Sequence, residues 1–243
     1  MKKLLALVMV SAMAMSMVAC GGEKDKLVMA TNAEFPPYEY REGSEFVGID
    51  VEIATAIAEE MGRELVVEDM EFNSIIPSIN SGKADMGVAG MTVSEDRLLE
   101  VDFSDTYTTA KQVIIIKEGS EIAGPDDLID KAVGVQLGTV GAIYCEDIEG
   151  VDLQQYSKGF EAVQALSQGK VDAVVIDNEP AKVFVKENEG IVIVDKEFTY
   201  EEYAIAVKKG NTELLDAINT ALKNLEESGK LAEIKEKYIP SEE

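Results

Sequence analysis

The strongest constraint in this chain is a pattern that occurs twice. Residues 27–89 alternate short apolar runs with amphipathic stretches, and residues 133–187 do so again. Alternating strand and helix signals favour βαβ units around mostly parallel sheets. Between the two blocks runs a long β-branched, apolar stretch at residues 107–116, mirrored by a second at residues 200–207. The first is too long for one strand plus a loop inside a single lobe and suits a strand crossing between lobes. The pattern therefore predicts an α/β chain of two lobes joined by a two-strand hinge. Lobe 1 is residues 27–106 plus 206–243, lobe 2 is residues 112–200, and the hinges are residues 107–111 and 201–205.

Within lobe 1, residues 27–31 read as a strand. The loop after it carries Pro36 and Pro37, which block a helix and keep the backbone extended. In open α/β sheets ligands collect at such carboxyl ends. Phe35 is therefore a candidate pocket wall, although Phe35 and Tyr38 read equally well as core. Residues 48–61 predict a helix with Asp50 as its cap and Ile53, Ile57 and Met61 on one face. A strand at residues 64–70 and a short helix at residues 75–81 follow, the helix ending at Gly82.

The stretch GMTVSEDRLLEVDFSDTY, residues 90–107, concentrates chemistry. Ser94 suits an N-cap, and Glu95 and Asp96 sit in the first turn, where the helix dipole favours negative charge. Arg97 occupies the same turn, where the dipole disfavours a cation, so an anion is expected nearby. Free helix-start N–H groups, the Thr92 hydroxyl and a planar guanidinium together suit a carboxylate. Taken alone, Arg97 could instead pair with Glu100 or Asp102 on the surface. In lobe 2, Gly138-Thr139-Val140-Gly141 forms an anion-friendly turn between a strand and a helix, but it lacks the Lys-Ser/Thr ending of a nucleotide loop. Asp177 ends an apolar strand, either as a helix cap or as a ligand group.

The 90–107 segment resembles the carboxylate-binding segment of the polar amino-acid-binding proteins that feed ABC importers. These are two-lobed, type II periplasmic-binding-protein-like molecules, and the likeness extends over nearly all the chain after residue 20. The resemblance implies that Arg97, Thr92, Gly90 and Thr139 hold a ligand carboxylate. It assigns the ligand ammonium to Asp177, with Gly90 and Asn32 assisting. Phe35 and Phe72 would flank the side chain, with Met91, Gln136 and Glu34 nearby. Family members often carry Asp at the Asn32 position, which leaves the ammonium to Asp177. Glu34 at the pocket mouth and the acidic surface point to a basic amino acid such as arginine or lysine; glutamine or cystine is the alternative. The resemblance also implies an ABC permease and its ATPase as partners.

The first 20 residues read as a targeting segment. Lys2 and Lys3 precede an apolar run too short to span a membrane, which ends in Met17-Val18-Ala19-Cys20. This resembles a lipoprotein signal. Cys20 would carry the lipid that tethers the protein to the extracellular face of the cell membrane, and residues 21–26 would form a flexible leash. An ordinary secretory signal is the other reading. The chain has 47 acidic and 22 basic residues, a formal charge of −25, which argues against nucleic acid as a partner. There is no histidine and, beyond Cys20, only Cys145. That leaves no internal disulfide and little basis for a Cys/His metal site. With no Ser-His or Cys-His pairing and no further carboxylate pair in view, an enzyme on the same scaffold is disfavoured. We expect a monomer without cofactor.

Overall fold

A computed structural model describes residues 25–196 and 198–240. The expected signal segment, Cys20 and most of the leash lie outside the described residues. Lys26, expected in the leash, already belongs to the first strand.

The molecule is two α/β lobes. The first sheet runs Glu64–Asp69, Lys26–Thr31, Met86–Gly87, Ala206–Lys208, Val101–Phe103. Its first three strands are parallel, and the last two join antiparallel. The second sheet runs Asp152–Tyr156, Ala132–Gln136, Ala173–Asp177, Thr108–Lys117, Ile191–Ile193, again with three parallel strands and antiparallel additions. Four of these five strands in each sheet thus run in one sense, so both sheets are mostly parallel; the one reversed strand in each is the one that arrives from the other lobe, Ala206–Lys208 in the first and Thr108–Lys117 in the second. Strand Thr199–Tyr203 pairs antiparallel with the near half of Thr108–Lys117, from Thr108 opposite Tyr203 to Gln112 opposite Thr199.

Helix Ile49–Glu60 buries Ile53 and Ile57 in a cluster shared with Leu214, Ile218, Leu222 and Leu225 of helix Thr212–Glu227. Gly229, with φ +79°, separates that helix from Lys230–Tyr238. Strand Ala173–Asp177 is buried throughout, as its unbroken apolar run requires when helices cover both faces. The region read as an extended loop after Thr31 instead folds into a small antiparallel sheet of Glu34–Phe35, Glu39–Glu42 and Glu45–Val47. This sheet turns Glu39 inward.

Asp50 does not cap its helix. The N-cap is Gly48, and Asp50, fully buried, accepts hydrogen bonds from the Gly90 N–H (2.7 Å) and the Tyr107 hydroxyl (2.9 Å). In both lobes, parallel strands point their carboxyl ends at the seam between the lobes. Thr31, Gln136 and Asp177 all stand at such ends.

Candidate functional site

A narrow cavity of ≈ 20 Å³, room for about one water, lies at this seam. Asn32, Phe35, Phe72, Gly90, Thr92 and Arg97 line it from one lobe, and Gln136, Thr139 and Asp177 from the other. Glu39, Ala89 and Val140 complete the wall.

Arg97 is positioned by its own segment. Ser94 caps helix Glu95–Glu100 by accepting from the Arg97 N–H, as its residue type and position predict. The Arg97 side chain is buried. It does not pair with Glu100 or Asp102. Its Nη1 donates to the Thr92 carbonyl (2.8 Å), its Nη2 donates across the seam to the Gly138 carbonyl (3.1 Å), and its guanidinium lies 5.2 Å from the Phe72 ring centre. Burial pulls its pKa down against the fields of Glu201 and Asp177. The guanidinium starts so basic that it stays charged.

Gly90 has φ +52°, and a Cβ there would sit 3.2 Å from both Phe35 and Tyr203, so the turn needs glycine. Its N–H is held by Asp50, which leaves its carbonyl as the group able to serve a ligand. Gly138 matters for a second reason: a Cβ on it would meet the Asn73 Cβ of the other lobe at 3.0 Å, so glycine permits the close approach at the seam.

Thr139 is an N-cap, accepting weakly from the Ala142 N–H and donating to the Gln136 carbonyl (2.8 Å), while also lining the cavity. Asp177 makes no side-chain capping bond to the helix that follows; its carboxylate accepts from the Tyr203 hydroxyl instead. Asn32 and Gln136 bond each other across the seam (2.8 Å), with Asn32 also donating to the Met70 carbonyl (3.0 Å).

Two expected side-chain contacts are not on the cavity wall. Glu34 lies outside, paired with Lys158 of the other lobe. Met91 is buried among Ala30, Phe72, Ile75 and Ile79 in the core of its lobe. An aromatic cluster adjoins the cavity: Phe35 on its wall stacks on Tyr38 (6.1 Å between ring centres), and Tyr38 meets Tyr203 edge to face (5.2 Å). Tyr38 is packing, as read from the sequence.

Two carboxylate pairs escaped the sequence reading. Glu39, on the wall, is fully buried beside Asp50; with both ionised, Glu39 Oε2 and Asp50 Oδ1 meet no donor among the described residues, and a proton held on Glu39 bridges the two carboxylates. Burial raises the pKa of both, that of Asp50 to about 6, and the Asp50 charge pushes Glu39 higher still. At the other end Glu201 accepts from the Thr92 hydroxyl (2.6 Å) and faces Asp177; burial raises both, and Asp177 adds to the rise at Glu201. Four acids and one arginine are thus buried in and around the cavity. No group of three or more metal-ligating side chains occurs among the described residues.

Residues 27–241 match the model for bacterial extracellular solute-binding proteins, family 3. The chain is 36% identical to the arginine-binding extracellular protein ArtP of Bacillus subtilis, with 100% of each chain covered. It is 29% identical to the L-cystine-binding protein TcyJ of Escherichia coli, over 89% of this chain and 84% of that one. Among solved structures, an ancestral arginine-binding protein bound to arginine superposes with a TM-score of 0.86 at 40% identity, covering 90% of this chain and 100% of the other.

Proposed function

The chain belongs to the bacterial extracellular solute-binding proteins of family 3, and from that premise we propose that it captures a basic L-amino acid, arginine or a close analogue, for an ABC importer. The observation that carries the side-chain preference is Glu39, a buried carboxylate on the cavity wall whose only neighbour able to share a proton with it is another acid, Asp50, so that once ionised its Oε2 meets no donor among the described residues. A buried polar atom without a partner is costly. A guanidinium or ammonium brought by the ligand supplies the donor and the charge together.

The remaining groups divide the zwitterion between the lobes. Arg97, with Thr92 and Thr139, takes the α-carboxylate; Asp177, with the Gly90 carbonyl, takes the α-ammonium. Phe35 and Phe72 bound the side chain on its way to Glu39. An unpaired buried charge costs several kcal/mol. Closure over Arg97 and Asp177 is therefore favoured by a ligand that brings the opposite charge to each, and this differential affinity drives the population toward the closed form. Residues 107–111 and 201–205, paired strand to strand, would be the hinge between lobe 1 (27–106 with 206–243) and lobe 2 (112–200).

The permease and its ATPase would receive the loaded form. A lipid on Cys20 would hold a monomer at the extracellular membrane surface. We read no catalysis: Cys145 is buried, its thiol pushed up to about 12, and the carboxylates are committed to binding. A thermal-shift screen against the common amino acids tests the proposal. Arginine or lysine should raise Tm most; glutamine or cystine in first place would favour the neutral alternative, and no response to any amino acid would refute the reading.

A further inference from the structure

Glu201 stands on the returning strand Thr199–Tyr203, opposite Ala110 of the outgoing one. Its side chain is 5% exposed. One oxygen accepts from Thr92 (2.6 Å) and from the Gln112 amide (3.3 Å); the other finds no hydrogen-bond partner among the described residues. Among the charges acting on Arg97, that of Glu201 is the largest, ahead of Asp177. Glu201 thus occupies, from within the chain, the electrostatic role that a ligand carboxylate would take, using the same hydroxyl and the same guanidinium.

We propose that Glu201 is a positioning residue of the carboxylate subsite, and that it takes up a proton from solvent as the ligand carboxylate docks on Arg97 and Thr92. This rests on the amino-acid reading above. The Thr92 hydroxyl has one proton and cannot donate to two carboxylates at once. Arg97 would then face the ligand carboxylate and Glu201 together, while the ligand ammonium neutralises Asp177. One new O–H bond on Glu201 resolves both conflicts. The neutral acid can donate to the Thr92 oxygen, and the Thr92 proton is released toward the ligand. The charged and titratable groups facing Glu201 are Arg97 from helix Glu95–Glu100, Asp177 from strand Ala173–Asp177, and Tyr203 from its own strand. Burial and the Asp177 charge raise the Glu201 carboxyl well above the usual carboxylate range, which brings its proton toward ordinary pH.

Calorimetric titration of the protein with arginine at a pH near 8, repeated in buffers of different ionisation enthalpy, counts the protons exchanged. Glu39 contributes in the opposite sense, because an arriving cation expels its proton. The quantity to read is therefore the difference between wild type and Glu201→Gln. Wild type should take up more protons per arginine, the difference approaching about one. Equal counts would overturn the coupling. Should Glu201→Gln not fold, infrared difference spectra of Glu39→Gln give a second readout. Adding arginine should then raise the carbonyl band of a protonated carboxylic acid, and an unchanged band would overturn the proposal. Absence of binding of any amino acid by wild type would instead overturn the amino-acid reading, and this inference with it.

Discussion

The two ends of the cavity are built in contrasting ways. At the Arg97 end, one contiguous segment supplies the cation, its N-cap and the carbonyl that orients it, and the turn at Gly138 adds a second carbonyl across the seam. The donors there are fixed before any ligand arrives. At the Glu39 end, the acid comes from a small antiparallel sheet and its neighbour Asp50 from a helix start. The glycine and tyrosine that hold Asp50 lie 40 and 57 residues along the chain. Here acceptors outnumber donors. On the proposed reading, the contrast means that one end would recognise what all amino acids share, whereas the other, left short of a cation, would choose among side chains.

If that division holds, Arg97→Ala should cost the most. Removing it strands the buried Asp177 and Glu201 charges and leaves the ligand carboxylate without its partner. Loss of a buried ion-pair partner typically costs 3–5 kcal/mol. Affinity should fall by about 100-fold or more for every amino acid alike, measured by calorimetry. A loss confined to basic amino acids would erase the distinction between the ends.

A second effect concerns pH. Asp50 has its pKa raised from 3.8 to about 6, and Glu39 and Glu201 are raised as well, so the folded chain holds more protons than the unfolded chain in this range. The stabilising contribution is complete below the unfolded carboxylate values and is lost as pH rises through the folded ones. Without ligand, Tm should fall by several degrees between about pH 4.5 and 7.5. The net negative charge acts in the same direction. Saturating arginine should flatten this fall, because its side chain compensates Glu39 and Asp50. A Tm that climbs over that range would contradict the electrostatics of the acidic end.

The smallest effect expected is at the mouth. The Lys158–Glu34 pair is part-exposed, at 28% and 30%. Such pairs contribute roughly 0.2–1 kcal/mol. Lys158→Ala should weaken arginine binding by less than about fivefold, and the difference should shrink in added salt. A larger loss would make Glu34 a ligand group after all.

The same division governs what the sequence discloses. Ser94, Arg97, Thr92 and Thr139 announce themselves because a turn, a cap and a misplaced cation all sit within a few residues of one another. Asp177 is visible as an acid ending an apolar strand. Glu39 is not, since the four-residue strand around it, Glu-Tyr-Arg-Glu, reads as polar surface. Only tertiary packing turns that glutamate inward. Glu34 drew the expectation of a side-chain acid because it adjoins Phe35, yet Lys158 from the other lobe pairs with it. Asp50 looks like a cap because it opens a helix, and its actual role depends on Gly90 and Tyr107. Glu201 belongs to the stretch read as a crossover, and nothing local marks its side chain as part of the site. The two-lobed architecture was legible because hydrophobic periodicity is a local property. The single reversed strand in each sheet was not, because strand order is set by long-range pairing.

Calorimetric comparison of arginine with citrulline, in wild type and in Glu39→Gln, tests the central claim most directly. The two ligands share shape and zwitterion and differ in the charge of the distal group. Wild type should bind arginine at least about tenfold more tightly than citrulline, in line with roughly 1.5–3 kcal/mol for a charged hydrogen bond, and Glu39→Gln should narrow the gap. Equal affinities in wild type, or a gap untouched by Glu39→Gln, would contradict it.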